Sequence, residues 1–422
     1  MQSVVDRTLS ICSQCGDVVN ADLVKDAGHI FMIKMCPKHG PSRVLYWKDA
    51  ELYENASKLI PTHEVCQHPR CLDSYTCKEH LKKTTDLMLN FTDRCNYACT
   101  ACFAASDIAH SYEPSLEEIF ERLPDMNGFN KPTVVIIGGE PTLREDLPEL
   151  IAGLVKRGYY PRLTTNGLRL NNRDYLQRLR AAGLEWVILQ FDGFSDTIHE
   201  KLRGRPLNKL KEELIPELEA LGFKIHLAVM TVRGVNLGEV GKIVEFALQH
   251  KNIIWVSFYP HSAINRTTLD HTDTHVSEVM DALEIQTAGR IRKKDFLAMM
   301  KLFRLLYRAT GINRFKPKLS IFSLLVVADG REYYPVVRLL NPWFALWRLP
   351  AVMSLVRSLP NILYYQKRPF PGNLIALNVE KFHNPEAIDL REASNCHMSF
   401  ITRDGYVPFD FYNNLFRKTR NW

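Results

Sequence analysis

Cys95, Cys99 and Cys102 carry chemistry that the rest of the chain must serve. They lie in Leu89-Asn90-Phe91-Thr92-Asp93-Arg94-Cys95-Asn96-Tyr97-Ala98-Cys99-Thr100-Ala101-Cys102-Phe103, a C-x3-C-x2-C spacing after a short apolar run that reads as a strand. Three thiolates so spaced can wrap one face of an iron–sulfur cube and bind three of its four irons. The fourth iron then has no protein ligand and is open to a small chelating molecule. A structural zinc knuckle is the competing reading, but zinc sites are built from paired ligands closed by a fourth Cys or His. The next candidate, His110, is eight residues beyond Cys102.

Two further groups precede this loop. Cys12-x2-Cys15 faces Cys36-Pro37-Lys38-His39 across about twenty residues, a tetrahedral Cys3His arrangement for zinc or, rubredoxin-like, a single iron. Its expected role is structural, because so small a module has little core of its own. Cys66, Cys71 and Cys77, interleaved with His63, His68 and His80, suit an auxiliary 4Fe–4S cluster. Cys396 or one of those histidines would be its fourth ligand, and a second zinc site is the alternative. Nine of the ten cysteines fall within the first 102 residues, which argues for metal rather than disulfides.

At 422 residues, 46% hydrophobic and 24% charged, the chain fits a soluble globular protein of two or three domains. Met1-Gln2-Ser3-Val4-Val5-Asp6-Arg7 has no apolar core, so no secretory signal is expected and the reducing cytoplasm is the consistent compartment. The formal charge of +7 is uneven. From Tyr333 to Val379 there is no Asp or Glu, while Arg338, Arg348, Arg357, Lys367 and Arg368 are present.

The elements that must position the loop follow from the pattern. From about residue 85 to 260 strands alternate with helices, which implies a parallel sheet with crossover helices. Asp86–Phe91 delivers the cysteine loop, and Ser115–Leu123 opens a helix in capping-box spacing. Strands then follow at Thr133–Ile137, Arg162–Thr165, Trp186–Phe191, Lys224–Thr231 and Ile253–Phe258. The expected helices between and after them are Asp146–Arg157, Arg173–Ala182, Leu210–Leu221 and Glu239–His250. Polar and glycine residues gather at the carboxyl ends of these strands, where parallel α/β structures bind ligands. Helical patterns at Val276–Ile285 and Asp295–Ala309 and a strand at Lys318–Gly330 come next. Pro342, Pro350 and Pro360 break residues 337–372 into short apolar helices, none able to span a bilayer as one. Edged by Arg, Trp and Tyr, these suit a membrane surface or an acyl tunnel, or else a cap on the sheet. Asn395 to Asp410 reads as a hairpin returning Cys396 towards the metal sites.

The cysteine loop, with Gly138-Gly139-Glu140 after the second strand, resembles the radical S-adenosylmethionine (SAM) superfamily. The resemblance implies an α/β fold, a partial (β/α)6 TIM-like barrel, with an N-terminal metal-binding module and an α+β C-terminal extension. It implies that SAM chelates the open iron and is cleaved to methionine and a 5′-deoxyadenosyl radical. Gly138 and Gly139 would let the backbone approach the ligand, and Glu140 would accept from the SAM amino group. Asn166, Gln190 and Asp192 would contact ribose and the methionyl part. Arg203, in Ile198-His199-Glu200-Lys201-Leu202-Arg203-Gly204, would pair with the SAM carboxylate, and Met230 would edge the adenine. Ala101 stands where relatives carry an aromatic residue, so Tyr97 and Phe103 are expected to supply the ring packing.

The order of parts resembles the radical SAM family that includes archaeal tetraether lipid synthase and the methylases of the methanopterin ring. Two departures are that the middle cysteines are more widely spaced and that Asp410 stands where a second C-terminal Cys is expected. The divisions expected are a Cys3His module (1–55), a Cys-rich joint (56–84), the barrel (85–312) and a substrate-binding, membrane-facing extension (313–422). The function expected is modification of an unactivated carbon, first of all in a lipid, with peripheral contact at the inner membrane face. The alternatives are methylation of a soluble heterocycle such as a pterin, modification of a peptide, or a metal-binding scaffold without activity. A ferredoxin- or flavodoxin-like reductant is an expected partner and nucleic acid is not.

Overall fold

Four antiparallel strands open the chain: β1 (Ser3–Ile11), β2 (Val18–Asp26), β3 (His29–Cys36) and β4 (Gly40–Trp47), hydrogen-bonded in that order. The computed structural model describes residues 2–61, 84–106, 113–124, 133–269, 273–312, 315–329, 332–346, 348, 352–353 and 374–416. Cys66, Cys71, Cys77 and their neighbouring histidines lie outside the described residues. So do Arg357, Lys367 and Arg368.

The ribbon is more extensive than the pair of metal knuckles that the cysteine spacing suggested. Ile11, Leu23, Ile30, Met32, Tyr46 and Trp47 join the main hydrophobic core, and polar contacts fasten the ribbon to the far end of the chain. Thr8 Oγ1 donates to Asp389 Oδ1 at 2.6 Å, and Ser10 Oγ donates to the Ile388 carbonyl at 2.7 Å. The buried Lys34 amine bridges the carbonyls of Ile11 at 3.1 Å and Glu386 at 2.8 Å. Burial draws this amine below the usual lysine range. The module is thus built onto the C-terminal part of the protein.

The central sheet begins with β5 (Asp86–Thr92); a two-residue strand β6 (Ala101–Cys102) in the cysteine loop lies outside it. The sheet continues through β7 (Thr133–Gly138), β8 (Tyr160–Thr165), β9 (Trp186–Gln190), β10 (Lys224–Thr231) and β11 (Ile253–Pro260). A short β12 (Arg266–Thr267) pairs with β6. Helices Leu147–Lys156, Arg173–Ala181, Asn208–Ala220 and Val240–Gln249 follow successive strands, close to the expected bounds. The capping box of Ser115 and Glu118 forms at the start of helix Leu116–Arg122. A separate helix, Asp196–Arg203, follows β9; Ser195 caps its start and Gly204, at φ +76°, ends it. Every residue of β7 is buried, as expected of a strand covered on both faces.

The later strands are β13 (Ile321–Asp329), β14 (Glu332–Pro335), β15 (Leu374–Glu380), β16 (Met398–Thr402) and β17 (Gly405–Pro408). They do not form a layer of their own. The sheet runs β14-β13-β15-β11-β10-β9-β8-β7-β5-β16-β17. β15 lies parallel to β11 and β16 parallel to β5, so the C-terminal extension adds a parallel strand on each side of the expected six. The expected hairpin exists as β16 and β17, and its first strand completes the sheet beside the cysteine loop's own strand. Among the described residues the sheet is not closed by hydrogen bonds, and β14 and β17 are its edges.

Two features bear on the expected membrane face. Arg338 donates to Asp295 through Nε at 2.9 Å and Nη2 at 2.5 Å, so its charge serves a buried pair rather than an anionic surface. Trp343 is 77% exposed, but no helix among the described residues is long and apolar enough to cross a membrane.

Asp389 is buried, caps the Leu390–Ser394 helix through Arg391 N–H and receives Thr8. Asp389→Ala should lower stability by about 1–3 kcal/mol, since Thr8 loses its buried partner. Calorimetric melting of wild type and variant checks this.

Candidate active site

The cysteine loop is held by the turn after β7. Gly139 N–H donates to the Thr92 carbonyl at 2.7 Å, and Glu140 N–H donates to the Arg94 carbonyl at 2.8 Å. A Cβ on Gly139 would lie 2.0 Å from the Arg94 oxygen, and one on Gly138 (φ +138°) would lie 2.3 Å from the Thr92 oxygen. Two backbones meet where only glycine fits. The close approach that the sequence suggested for a ligand is therefore made by the loop itself.

Glu140 is likewise committed to the chain. Its Oε1 accepts from Thr142 N at 3.2 Å, Thr142 Oγ1 at 2.6 Å and Thr165 Oγ1 at 2.7 Å, and Oε2 accepts from Asn166 N at 2.7 Å. Burial still holds the carboxyl above its ordinary range, against those donors. Asn166 extends the link, its Nδ2 donating to Asn96 Oδ1 within the cysteine loop at 2.7 Å.

Arg203 differs in the same way. Its Nε and Nη2 fork onto Asp192 at 2.6 and 2.8 Å, the arrangement the resemblance reserved for the SAM carboxylate. Asp192 is fully buried and also accepts from Met230 N–H at 3.2 Å and from Gln190 Nε2. Burial raises this carboxyl, but the Arg203 charge outweighs it and holds the group below the usual range. Beneath the pair, Lys211 donates to the Asn166 carbonyl at 2.6 Å, and burial brings its amine down to about 7.

These groups surround one cavity of about 1250 Å³ inside the sheet. Cys95, Cys99, Cys102, Phe103, Gly138, Gly139, Glu140, Asn166, Gln190, Arg203 and Met230 all line it. Asp192 stands behind them. The sequence reading missed the cavity's deeper lining. Asp86 pairs with Arg162 at 3.5 Å, Arg162 lies 4.0 Å over the Trp186 ring, and the His226 ring lies 5.4 Å from that of Trp255. A signal for them existed: Asp86, Arg162 and His226 occupy the same alternating phase as the lining residues Met88, Thr164 and Ala228. Tyr259 and Phe382 stack at 5.2 Å and 13°, and Phe103 lies 6.0 Å from Phe382, so an aromatic wall adjoins Cys102.

Among the described residues, only Cys12, Cys15, Cys36 and His39 bring three or more possible ligand atoms within 4.8 Å of one another. Cys15 and Cys36 sulfurs are 3.8 Å apart, and His39 Nδ1 is 3.6 Å from Cys12 and 3.5 Å from Cys36. A tetrahedral ion with metal–sulfur bonds of about 2.3 Å and metal–nitrogen bonds of about 2.0 Å requires edges of about 3.8 and about 3.6 Å. The four residues fit one metal ion. N–H groups of Cys15 and Gln14 hold the Cys12 thiol down at about 6. Cys95, Cys99 and Cys102 do not form such a group, and it is their C-x3-C-x2-C spacing that suits a cube with one iron per thiolate. Burial pushes the Cys95 thiol up to about 12, so metal charge is what would ionise it. Cys396 is buried outside the cavity's lining, and burial pushes its thiol to about 12 as well.

A parallel sheet with three cysteines in the loop after its first strand is the arrangement expected of a radical SAM domain. Residues 89–247 match the model of the Radical SAM superfamily, a class of enzymes, and residues 4–48 match that of the HMPTM N-terminal zinc ribbon domain. The chain is 35% identical over 305 residues to the "7,8-dihydro-6-hydroxymethylpterin dimethyltransferase" of Methanocaldococcus jannaschii, covering 69% of this chain and 60% of that protein. It is 31% identical over 263 residues to the "Fe-coproporphyrin III synthase" of Methanosarcina barkeri, covering 59% of this chain and 60% of that one. The chain therefore spans about three fifths of the length of these relatives. Among solved structures, SuiB of Streptococcus suis bound to S-adenosylmethionine matches with a TM-score of 0.41 and 16% identity, over 62% of this chain and 69% of that one.

Gly139→Ala should push the cysteine loop away and lower the iron bound by anaerobically reconstituted protein, while N-terminal metal is retained. Cys36→Ala should do the reverse. Elemental analysis of both variants against wild type separates the two sites.

Proposed function

We propose that this chain is a radical SAM enzyme that methylates a flat, soluble heterocycle of the reduced-pterin class. The observation that carries this reading is the aromatic-walled cavity, which the cysteine triplet helps to line. At about 1250 Å³ it exceeds the roughly 300–1,000 Å³ usual for one ligand, leaving room for a second molecule beside SAM. The similarity to a protein named as a pterin dimethyltransferase, together with the match to the HMPTM zinc ribbon, supports the same substrate class.

This replaces the lipid that the acid-free stretch first suggested. Arg338 is spent on Asp295, and the cavity is lined at depth by Asp86, Arg162, His226 and Glu380 rather than by hydrocarbon alone. An acyl chain gains nothing from those groups, whereas a heterocycle can pair with them.

A [4Fe–4S] cluster held by Cys95, Cys99 and Cys102 supplies one-electron cleavage of SAM when bound. The chain's residues provide the surroundings. Gln190, Asn166 and the Asp192–Arg203 pair would position SAM at the strand ends. The Phe103, Phe382 and Tyr259 wall would hold the second molecule and keep water out.

The test is anaerobic incubation of cluster-loaded protein with SAM, reductant and 7,8-dihydro-6-hydroxymethylpterin. Formation of 5′-deoxyadenosine should rise on adding the pterin, and mass spectrometry should find a methylated pterin. An isoprenoid lipid that stimulates cleavage when the pterin does not would restore the lipid reading.

A further inference from the structure

The end of β15 holds a polar group that the reading above leaves unused. Glu380 and Asn378 share one face of the strand, line the cavity, and are only 8% and 4% exposed. Ser257 Oγ donates to Glu380 Oε1 at 2.9 Å, and Asn378 Nδ2 donates to the same oxygen at 2.8 Å. His226 Nε2 lies 2.9 Å from Ser257 Oγ. Because the serine hydrogen goes to Glu380, the imidazole must donate in that contact, a tautomer assigned from the network. Donors therefore run His226 to Ser257 to Glu380 Oε1 and stop there. Among the described residues, Glu380 Oε2 has no partner, and the buried Asn378 Oδ1 has none either.

Buried acceptors without donors are uncommon in folded proteins. Here one of them, Asn378 Oδ1, sits beside the unbonded Glu380 Oε2 on the wall of a ligand-sized cavity. Burial holds the Glu380 carboxyl above its ordinary range, and the two hydrogen bonds on Oε1 do not cancel that. Among the described residues no donor hydrogen-bonds to either oxygen, although Lys318 lines the same cavity, so a molecule bringing its own N–H groups would complete the pair. Two residues on, Phe382 stacks with Tyr259 and leads to Phe103 beside Cys102. A ring laid on this wall lies between Glu380 and the cysteine loop.

We propose that Glu380 and Asn378 form a specificity subsite that accepts two adjacent N–H donors from the ring of the substrate. An aminopyrimidinone edge, with its ring N–H beside an exocyclic amine, is such a donor pair, and pterins carry it. The assignment rests on the pterin reading and adds the residues that would select for it. It predicts discrimination against a ring whose exocyclic amine is replaced by oxygen, because that oxygen would face Glu380 as a second acceptor.

Equilibrium dialysis of the anaerobically reconstituted protein tests this with 6-hydroxymethyl-7,8-dihydropterin and the matching dihydrolumazine. Wild type should bind the pterin about tenfold to a hundredfold more tightly, the range for a charge-assisted hydrogen bond. Glu380→Gln should erase most of that preference by turning an acceptor into a donor. Asn378→Ala should reduce it by removing the second acceptor while Ser257 still donates to Glu380, which keeps the test decisive if the first variant folds poorly. SAM affinity in the same cells reports the fold. Equal binding of both ligands by wild type, with pterin affinity unchanged in the variants, would overturn the subsite and leave the pterin reading standing. If wild type binds neither ligand, the pterin reading fails and the subsite fails with it.

Discussion

A buried carboxylate fixes the geometry on which this site depends. Glu140 sits almost without solvent and receives four hydrogen bonds, from the turn after β7 and from the end of β8. Isolated charge in such a place is costly, and only a full set of donors makes it tolerable. The result is rigidity. Two strand ends are tied through one side chain, and the backbone beside it grips the cysteine loop at Thr92 and Arg94. Glycine at positions 138 and 139 permits that grip, since any side chain would collide with the loop's carbonyls.

The positions of the site were legible in the sequence, but their partners were not. Cysteine spacing, the Gly-Gly-Glu turn and the strand–helix alternation are local signals, and they located the loop, its neighbours and the crossover helices. A motif names a position without saying which atoms will occupy it. Glu140 and Arg203 were assigned to a ligand, yet their polar atoms meet Thr142, Thr165, Asn166 and Asp192 within the chain. The inward polar residues were missed for another reason. Asp86, Arg162 and His226 look like single interruptions of their strands; alternation puts each on the lining face of its own strand, and register across strands brings them to one space.

Long-range pairing was the least readable feature. β15 and β16 look like ordinary C-terminal strands, and nothing near them says that they flank β11 and β5. The N-terminal ribbon was underestimated because its buried face, Leu23, Ile30, Met32, Tyr46 and Trp47, packs into the main core and its polar support comes from residues 386 to 391. The two ends of the chain thus stabilise each other across the barrel, so the metal-binding ribbon and the C-terminal extension form one continuous structure.

The pairing of β16 with β5 sets an order of events during synthesis. Asp86 meets Met398, and Thr85 N–H meets the His397 carbonyl, across more than three hundred residues of intervening chain. Until that last segment leaves the ribosome, the strand that carries the cysteine loop has a bare edge. Bare edges recruit other strands, and contacts so distant in sequence form slowly. The nascent protein must therefore shelter its most reactive loop on an unfinished sheet, and any ribosome that stalls before β16 releases a chain prone to associate through β5.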